Sequence, residues 1–268
     1  MQVRQAPGTA SAGQDVRRIV TRRDFDAVLF DLDGVLTSTA AIHARAWKTM
    51  FDHFLQQRGR EERRDFKPFN IDSDYKRYVD GKPRYEGVQS FLDSRGVHLP
   101  KGSPDEPPND RTIAGLGNRK DAMVKQAIEE GQVQPFEGSV RWVRQIRDEG
   151  FRTAVVSSSR NCAAVLRAAQ IDDLFDVHVD GNTLEEMHLR GKPAPDSFLK
   201  AAELVGVSPR RAVVVEDAIS GVEAGHAGQF GLVIGVDREG HGDALRNHGA
   251  DVVVRDLAEL IRVGALRV

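Results

Sequence analysis

The run Ala27-Val28-Leu29-Phe30-Asp31-Leu32-Asp33-Gly34-Val35-Leu36-Thr37 closes a short apolar, strand-forming stretch with two aspartates spaced i, i+2 and a glycine. At a strand end that spacing aims both carboxylates at one site, and Gly34 lets the chain turn sharply. One carboxylate can attack phosphorus while the other shuttles a proton. The pair can also hold magnesium, a hard cation that prefers oxygen ligands. Taken alone, the string also fits an ordinary strand-to-turn junction, where Asp and Gly are common. The apolar run before it and three later signals decide between the two.

Those signals are Ser157, Lys192 and the pair Glu216-Asp217. Ser157 opens Ser157-Ser158-Ser159 directly after the apolar run Arg152-Thr153-Ala154-Val155-Val156. Lys192 lies in Gly191-Lys192-Pro193-Ala194-Pro195-Asp196, and Glu216-Asp217 follows Ala212-Val213-Val214-Val215. Each has an ordinary structural reading: a strand-to-helix cap, a solvated loop lysine, and acids at the positive end of the next helix. All of them in order, at the ends of successive strands, are hard to obtain by accident.

The elements that must position these residues fall into two patterns. Residues 40–134 read as helical throughout. His43, Trp47, Met50 and Phe54 make one helical stripe over 40–57, and further helices are predicted in parts of 72–96 and at about 118–130. The charged stretch 58–67 and the proline-rich stretch 100–110 read as loops. From residue 135, strands near 152–156, 176–180, 212–215, 231–236 and 251–254 alternate with helices, and the strand at 26–30 belongs with them. Continuous apolar strands alternating with helices predict a parallel sheet covered on both faces. The expected fold is therefore α/β: a Rossmann-like parallel-sheet core of residues 24–38 plus 135–268, with an inserted all-helical cap domain of residues 39–134. Such sheets place ligands at the carboxyl ends of their strands. Residues 1–23 lack clear periodicity and are expected to be a flexible extension, with some packing possible near 16–23.

Composition bounds the function. The chain has 268 residues, 40% apolar and 29% charged, which is ordinary for a soluble globular protein. A net charge of −2 gives no electrostatic case for a nucleic-acid or anionic-membrane partner. The single cysteine, Cys162, suits a reducing cytoplasm. No apolar stretch approaches a membrane span, and the N-terminus lacks the apolar core of a secretory signal.

The order and types of these residues, across roughly residues 24–255, resemble the haloacid dehalogenase superfamily of phosphotransferases. The resemblance implies that Asp31 is the nucleophile and becomes a phospho-aspartate. It implies that Asp33 is the general acid/base and that Lys192 neutralises charge. Ser157 and the following amides would hold phosphoryl oxygens, with Arg160 and Asn161 orienting the substrate. Magnesium would be the cofactor, held by Asp31, Asp33 (also through its carbonyl), Glu216 and Asp217.

Within that superfamily the cap sequence is similar to the β-phosphoglucomutase branch. Thr39-Ala40-Ala41-Ile42-His43-Ala44-Arg45-Ala46-Trp47-Lys48 resembles that branch's hinge and first cap helix, which gives His43 a gating role and puts Thr39 near the acid/base. Gly81-Lys82-Pro83-Arg84 resembles the loop whose arginine binds the sugar's distal phosphate, and this carries over to Arg84. Arg119-Lys120-Asp121 resembles the motif whose lysine pairs with the histidine (Lys120) and whose next residue touches the sugar (Asp121). Ser157-Ser158-Ser159-Arg160-Asn161 fits the branch as well, placing Ser158 and Ser159 at the substrate. Two departures stand out. Ser38 replaces a common Asp, and Asp80 stands where a basic residue is expected, so that Lys82 is a candidate replacement.

The expectation is a monomeric, cytoplasmic, magnesium-dependent mutase acting on a small-molecule sugar phosphate. A sugar-phosphate phosphatase on the same fold is the alternative. A catalytically silent binding protein is disfavoured by the complete set Asp31, Asp33, Lys192 and Asp217.

Overall fold

The computed structural model describes residues 16–262. Six parallel strands form one sheet: β1 (Ala27–Phe30), β2 (Arg152–Val156), β3 (Val177–Val179), β4 (Ala212–Glu216), β5 (Leu232–Val236) and β6 (Val252–Val254). Their spatial order is β3-β2-β1-β4-β5-β6. β1 is therefore central, with Phe30 in register with Val155 on one side and Val215 on the other. Both faces of the sheet are covered. Val28 and Phe30 join one apolar cluster with Trp142, Val143 and Ile146, while Ala27 and Leu29 join another with Phe198, Ala201 and Val222. This two-sided burial is why the strands read as unbroken apolar runs rather than alternating ones.

Between β1 and β2 the chain forms the helical cap. It contains α1 (Thr39–Glu62), a π-helical segment Ile71–Val79, α2 (Arg84–Ser94) and α3 (Ile113–Glu129), and α4 (Glu137–Asp148) then returns to the sheet. The predicted stripe packs as expected. Trp47 stacks on Phe51 at 5.3 Å between ring centroids, and Phe51 meets Phe91 of α2 at 4.1 Å. Where the chain leaves and re-enters the core, the Ser38 amide donates to the Gln134 carbonyl and the Phe136 amide to that of Leu36, both at 2.9 Å. The rest of the sheet is connected by α5 (Cys162–Ala168), α6 (Gly181–Glu186), α7 (Asp196–Leu204), α8 (Ile219–Ala227) and α9 (Gly242–Asn247).

Two expectations are corrected. The stretch 58–67 is not a loop throughout: α1 continues to Glu62, supported by an Arg58–Glu62 pair at 2.7 Å, and Arg63 in the left-handed region ends it. Arg and Glu are good helix formers, so a charged run alone does not break a helix. Helix α3 begins at Ile113 rather than 118, where the Thr112 side chain accepts from the Gly115 amide. Residues 16–23 pack, as the sequence allows at that end of the extension: Val16–Arg18 form a 3-10 turn, Val20 is 4% exposed, and Arg22 pairs with Asp26. The remainder of the expected extension, residues 1–15, lies outside the described residues.

Candidate active site

The site forms at the carboxyl end of the sheet, under the cap. Asp31 directly follows β1, and its amide donates to the Val215 carbonyl of β4 (2.9 Å). Gly34 then turns at φ 90°, and a Cβ there would sit 1.8 Å from an Asp217 oxygen. The turn after β1 thus accepts only glycine at this point, and Asp217 closes down on it.

Lys192 is 1% exposed and spans two carboxylates, with Nζ 2.5 Å from Asp31 Oδ1 and 2.5 Å from Glu216 Oε1. It also donates to the Val156 carbonyl at the end of β2 (3.2 Å). The other Glu216 oxygen accepts the amides of Asp217 and Ala218, each at 3.0 Å. Burial opposes charge on Lys192, but Asp31 and Glu216 outweigh it and hold the ammonium above its ordinary pKa. Among the described residues Asp217 has no such partner. Burial, then the charges of Glu216, Asp80, Asp31 and Asp33, push it well above the usual carboxylate range.

This imbalance fits a cation. Asp31, Glu216 and Asp217 can each present an oxygen within 4.8 Å of the others. Two buried carboxylates and a half-buried one facing one ammonium leave negative charge uncompensated, and the donors are all oxygen, as magnesium requires. The Asp33 side chain is not in this trio, and the resemblance also gives its backbone carbonyl as a route to the metal. It turns toward the cap and accepts a hydrogen bond from the Thr39 hydroxyl, which also contacts Thr37 Oγ1 (2.7 Å). A contribution through its carbonyl remains open to it.

The cap supplies the opposite wall. His43 Nε2 stands 3.8 Å from Asp33 Oδ1, and His43 Nδ1 lies 2.8 Å from Lys120 Nζ. Burial and the Lys120 charge lower the histidine to about 4, and burial lowers Lys120 to about 8. Near neutral pH, then, the ammonium donates to a neutral imidazole at Nδ1. The histidine proton sits on Nε2, facing Asp33, where it has no hydrogen-bond partner. Arg84 lies 2.8 Å from Asp121, which also accepts from Asn161 Nδ2 (2.8 Å) and pairs with Lys125 (3.0 Å). Against the cost of burial, Arg84 holds the Asp121 carboxyl below its ordinary range.

A cavity of about 220 Å³ joins the two walls. Of the residues singled out in the sequence, Asp31, Asp33, His43, Arg84, Lys120, Asp121, Ser158, Ser159, Arg160, Glu216 and Asp217 line it. Ser157, Asn161, Thr39 and Lys192 are buried immediately behind it. Ser157 Oγ accepts the Ser159 amide (3.1 Å) and so shapes the loop after β2. The Ser158 hydroxyl is turned to the cap, on the Gly81 carbonyl (2.6 Å), and Arg160 is paired with Glu185. Lys82 donates to Ser90 on the cap (3.2 Å) and does not take the place expected for a basic residue at position 80.

The family described as haloacid dehalogenase-like hydrolase matches residues 25–229. The chain belongs to that family. Two relatives match this chain over most of their length. A β-phosphoglucomutase of Mycobacterium tuberculosis is 52% identical over 238 residues, covering 88% of this chain and 91% of the relative. One of Bacillus subtilis is 34% identical, covering 87% and 91%. Among solved structures of this fold, a β-phosphoglucomutase of Clostridium difficile superposes with a TM-score of 0.68 at 22% identity, covering 88% of this chain and 93% of that one.

Two further residues, Tyr75 and Tyr85, line the cavity without having been singled out. Tyr75, in the π-helical segment, lines the cavity, and burial and the nearby Asp80 raise its hydroxyl well above the usual range. Asp80, whose own carboxyl burial and Glu216 raise to about 7, is hydrogen-bonded to Tyr75 and faces the carboxylate cluster rather than a substrate phosphate. A π-helical segment has no 3.6-residue apolar stripe, so Tyr75 carried no sequence signal. Tyr85 is the other wall residue: it bonds Arg84 (3.1 Å) and Asn118 (2.9 Å) and so fixes the arginine's direction.

Proposed function

We propose that this protein is a magnesium-dependent β-phosphoglucomutase, interconverting β-glucose 1-phosphate and glucose 6-phosphate through phospho-Asp31 and a bisphosphate. The observation that carries the reading is the roofed cavity. Basic and hydrogen-bonding cap residues (Arg84, Lys120, His43) stand opposite the Asp31/Asp33 pair, so one molecule can present a reacting and a non-reacting phosphate at once. The 52% identity to a mycobacterial β-phosphoglucomutase over most of both chains supports the same substrate.

In each half-reaction a phosphoryl group moves between Asp31 and a sugar oxygen. When a hydroxyl of the sugar monophosphate attacks phospho-Asp31, its proton passes to Asp33, the bond from Asp31 to phosphorus breaks, and the bisphosphate forms. After the sugar turns end for end, Asp31 attacks the other phosphorus and Asp33 returns the proton to the departing sugar oxygen. Magnesium, held by Asp31, Glu216 and Asp217, would offset the negative charge of the phosphoryl group. Lys192 aims Asp31 and opposes the rise in its pKa that burial and the neighbouring carboxylates impose. Arg84 anchors the distal phosphate, with Asp121, Ser159, Arg160 and Asn161 around the sugar. Thr39 and His43, both on α1, tie the position of the Asp33 carboxyl to that of the cap.

The protein would act on a free sugar phosphate as a monomer in the cytoplasm, and one buried free cysteine suits a reducing compartment. Among the described residues no helix is long and apolar enough to cross a membrane. The test is phosphorus NMR with magnesium, β-glucose 1-phosphate and a catalytic trace of glucose 1,6-bisphosphate. Glucose 6-phosphate growing with little inorganic phosphate is the expected result. Inorganic phosphate growing instead makes the protein a phosphatase.

A further inference from the structure

The cap loop that follows the π-helical segment is gripped by two core hydroxyls that the chemistry above does not use. Ser220, in the first turn of α8, donates from Oγ to the Asp80 carbonyl (3.0 Å). Ser158, just after β2, donates from Oγ to the next carbonyl, that of Gly81 (2.6 Å). The same loop beds on the segment that carries Lys192: a Cβ on Gly191 would lie 2.3 Å from Pro83 Cδ. The three seats come from the ends of β2 and β4 and from the Lys192 loop, which together surround Asp31. The gripped loop carries Asp80 at one end and Arg84 at the other.

We propose that Ser158 and Ser220 are positioning residues that clasp the cap over the nucleophile and thereby set the phosphoryl acceptor, sugar hydroxyl rather than water. The proposal rests on the phosphotransferase reading above. Both acceptors are backbone carbonyls, so the clasp holds the loop's path whatever its side chains do. Opening the cap exchanges each bond for one to water, and one such neutral bond shifts the closed-to-open ratio by about two- to tenfold. An open cap admits water to phospho-Asp31. There the water oxygen bonds phosphorus, the bond from Asp31 to phosphorus breaks, a water proton passes to Asp33, and inorganic phosphate leaves. Neither serine touches the reacting atoms in this scheme. Each acts only through the fraction of time the cap is closed.

The experiment uses the full chain and its Ser158→Ala, Ser220→Ala and double variants, with magnesium, β-glucose 1-phosphate and a trace of glucose 1,6-bisphosphate. Phosphorus NMR gives the ratio of inorganic phosphate to glucose 6-phosphate. Hydrogen–deuterium exchange compares residues 79–87 with α3, a cap helix the clasp does not touch. The expected result is a ratio raised about two- to tenfold in each single variant, with the two factors multiplying in the double. Faster exchange should be confined to residues 79–87. An unchanged ratio overturns the proposal, and so does exchange that accelerates equally in α3, because the serines would then merely support the fold. If the parent protein makes no glucose 6-phosphate, the mutase reading falls and exchange alone judges the clasp. Loop-selective acceleration then supports it, and its absence overturns it.

Discussion

At the scale of single residues, the site is a set of charges that cannot all be satisfied by the protein. Asp31 and Glu216 share one buried ammonium at 2.5 Å each, and among the described residues Asp217 has none. Asp31→Asn keeps the shape of the site but removes the nucleophile. Glucose 6-phosphate formation should fall to background in phosphorus NMR while the thermal unfolding transition remains cooperative. Retained turnover would reassign the nucleophile. His43 gives a second prediction, in pH. Burial and Lys120 lower its folded-state value from 6.5 to about 4. Between these values the unfolded chain binds a proton that the folded chain refuses, so the histidine costs stability increasingly as pH falls through that window. His43→Gln cannot take up the proton. It should therefore gain on the parent by up to roughly 3 kcal/mol as pH drops from 6.5 to 4, and show no pH-dependent gain above 7. Urea unfolding of both proteins across that range would measure it, and parallel curves would mean that His43 takes up its proton as readily in the fold as in the unfolded chain.

Single elements place those residues, and the first turn of α8 does so by close contact. Glu216 folds back to accept the amides of Asp217 and Ala218, which brings its carboxylate over the helix start. A Cβ on Gly221 would lie 1.7 Å from Glu216 Oε1. Gly221→Ala must therefore push Glu216 aside, and overpacking of this kind costs about 1–3 kcal/mol. Because Glu216 belongs to the carboxylate trio, magnesium affinity measured by calorimetry should fall about tenfold or more. Unchanged affinity would remove Glu216 from the metal site. The same scale explains what could be read from sequence. The strands were legible because both faces are buried, and Asp31, Ser157 and Glu216-Asp217 were legible because they end those strands. Cap geometry was much less so. The contact between His43 and Lys120 joins residues 77 positions apart and came only through family resemblance. The start of α3 was hidden by Gly115 and Gly117, poor helix formers, and a Cβ on Gly117 would lie 2.7 Å from the Tyr85 ring. Tyr75 sits in a π-helical segment, and α6 and α9, at six residues each, are too short to show a period. Ser158 and Ser220 act across the cap–core boundary, on backbone carbonyls that no local pattern encodes.

At the scale of the whole molecule, cap closure brings Asp80 toward a cluster that already holds Asp31, Asp33, Glu216 and Asp217, so closing concentrates negative charge. Burial and Glu216 raise Asp80 to about 7, and burial with the neighbouring carboxylates raises Asp217 well beyond its ordinary 3.8. In such groups the folded chain keeps a proton that the unfolded chain releases. Each therefore loses stability as pH rises from the ordinary value up to the folded-state value. His43 acts in the opposite sense, but only between about 4 and 6.5, and Lys120 does so only between about 8 and its ordinary 10.5. From pH 6.5 to 8, of these groups, only the raised carboxylates favour a proton in the fold that the unfolded chain has released. Metal-free protein should thus unfold more easily at pH 8 than at pH 6.5. Magnesium binds the ionised carboxylates and should stabilise the fold, by about 2.7 kcal/mol at a hundred times its dissociation constant. That stabilisation should be larger at pH 8, where protons are displaced more easily, so the downward slope should flatten once the cation is present. Chemical unfolding at the two pH values, with chelator and with magnesium, separates these outcomes. A slope that is flat without the metal would mean that the carboxylates are already ionised at pH 6.5 and that Lys192 alone balances them. A slope as steep under saturating magnesium as without it would mean that the cation does not reach Asp217.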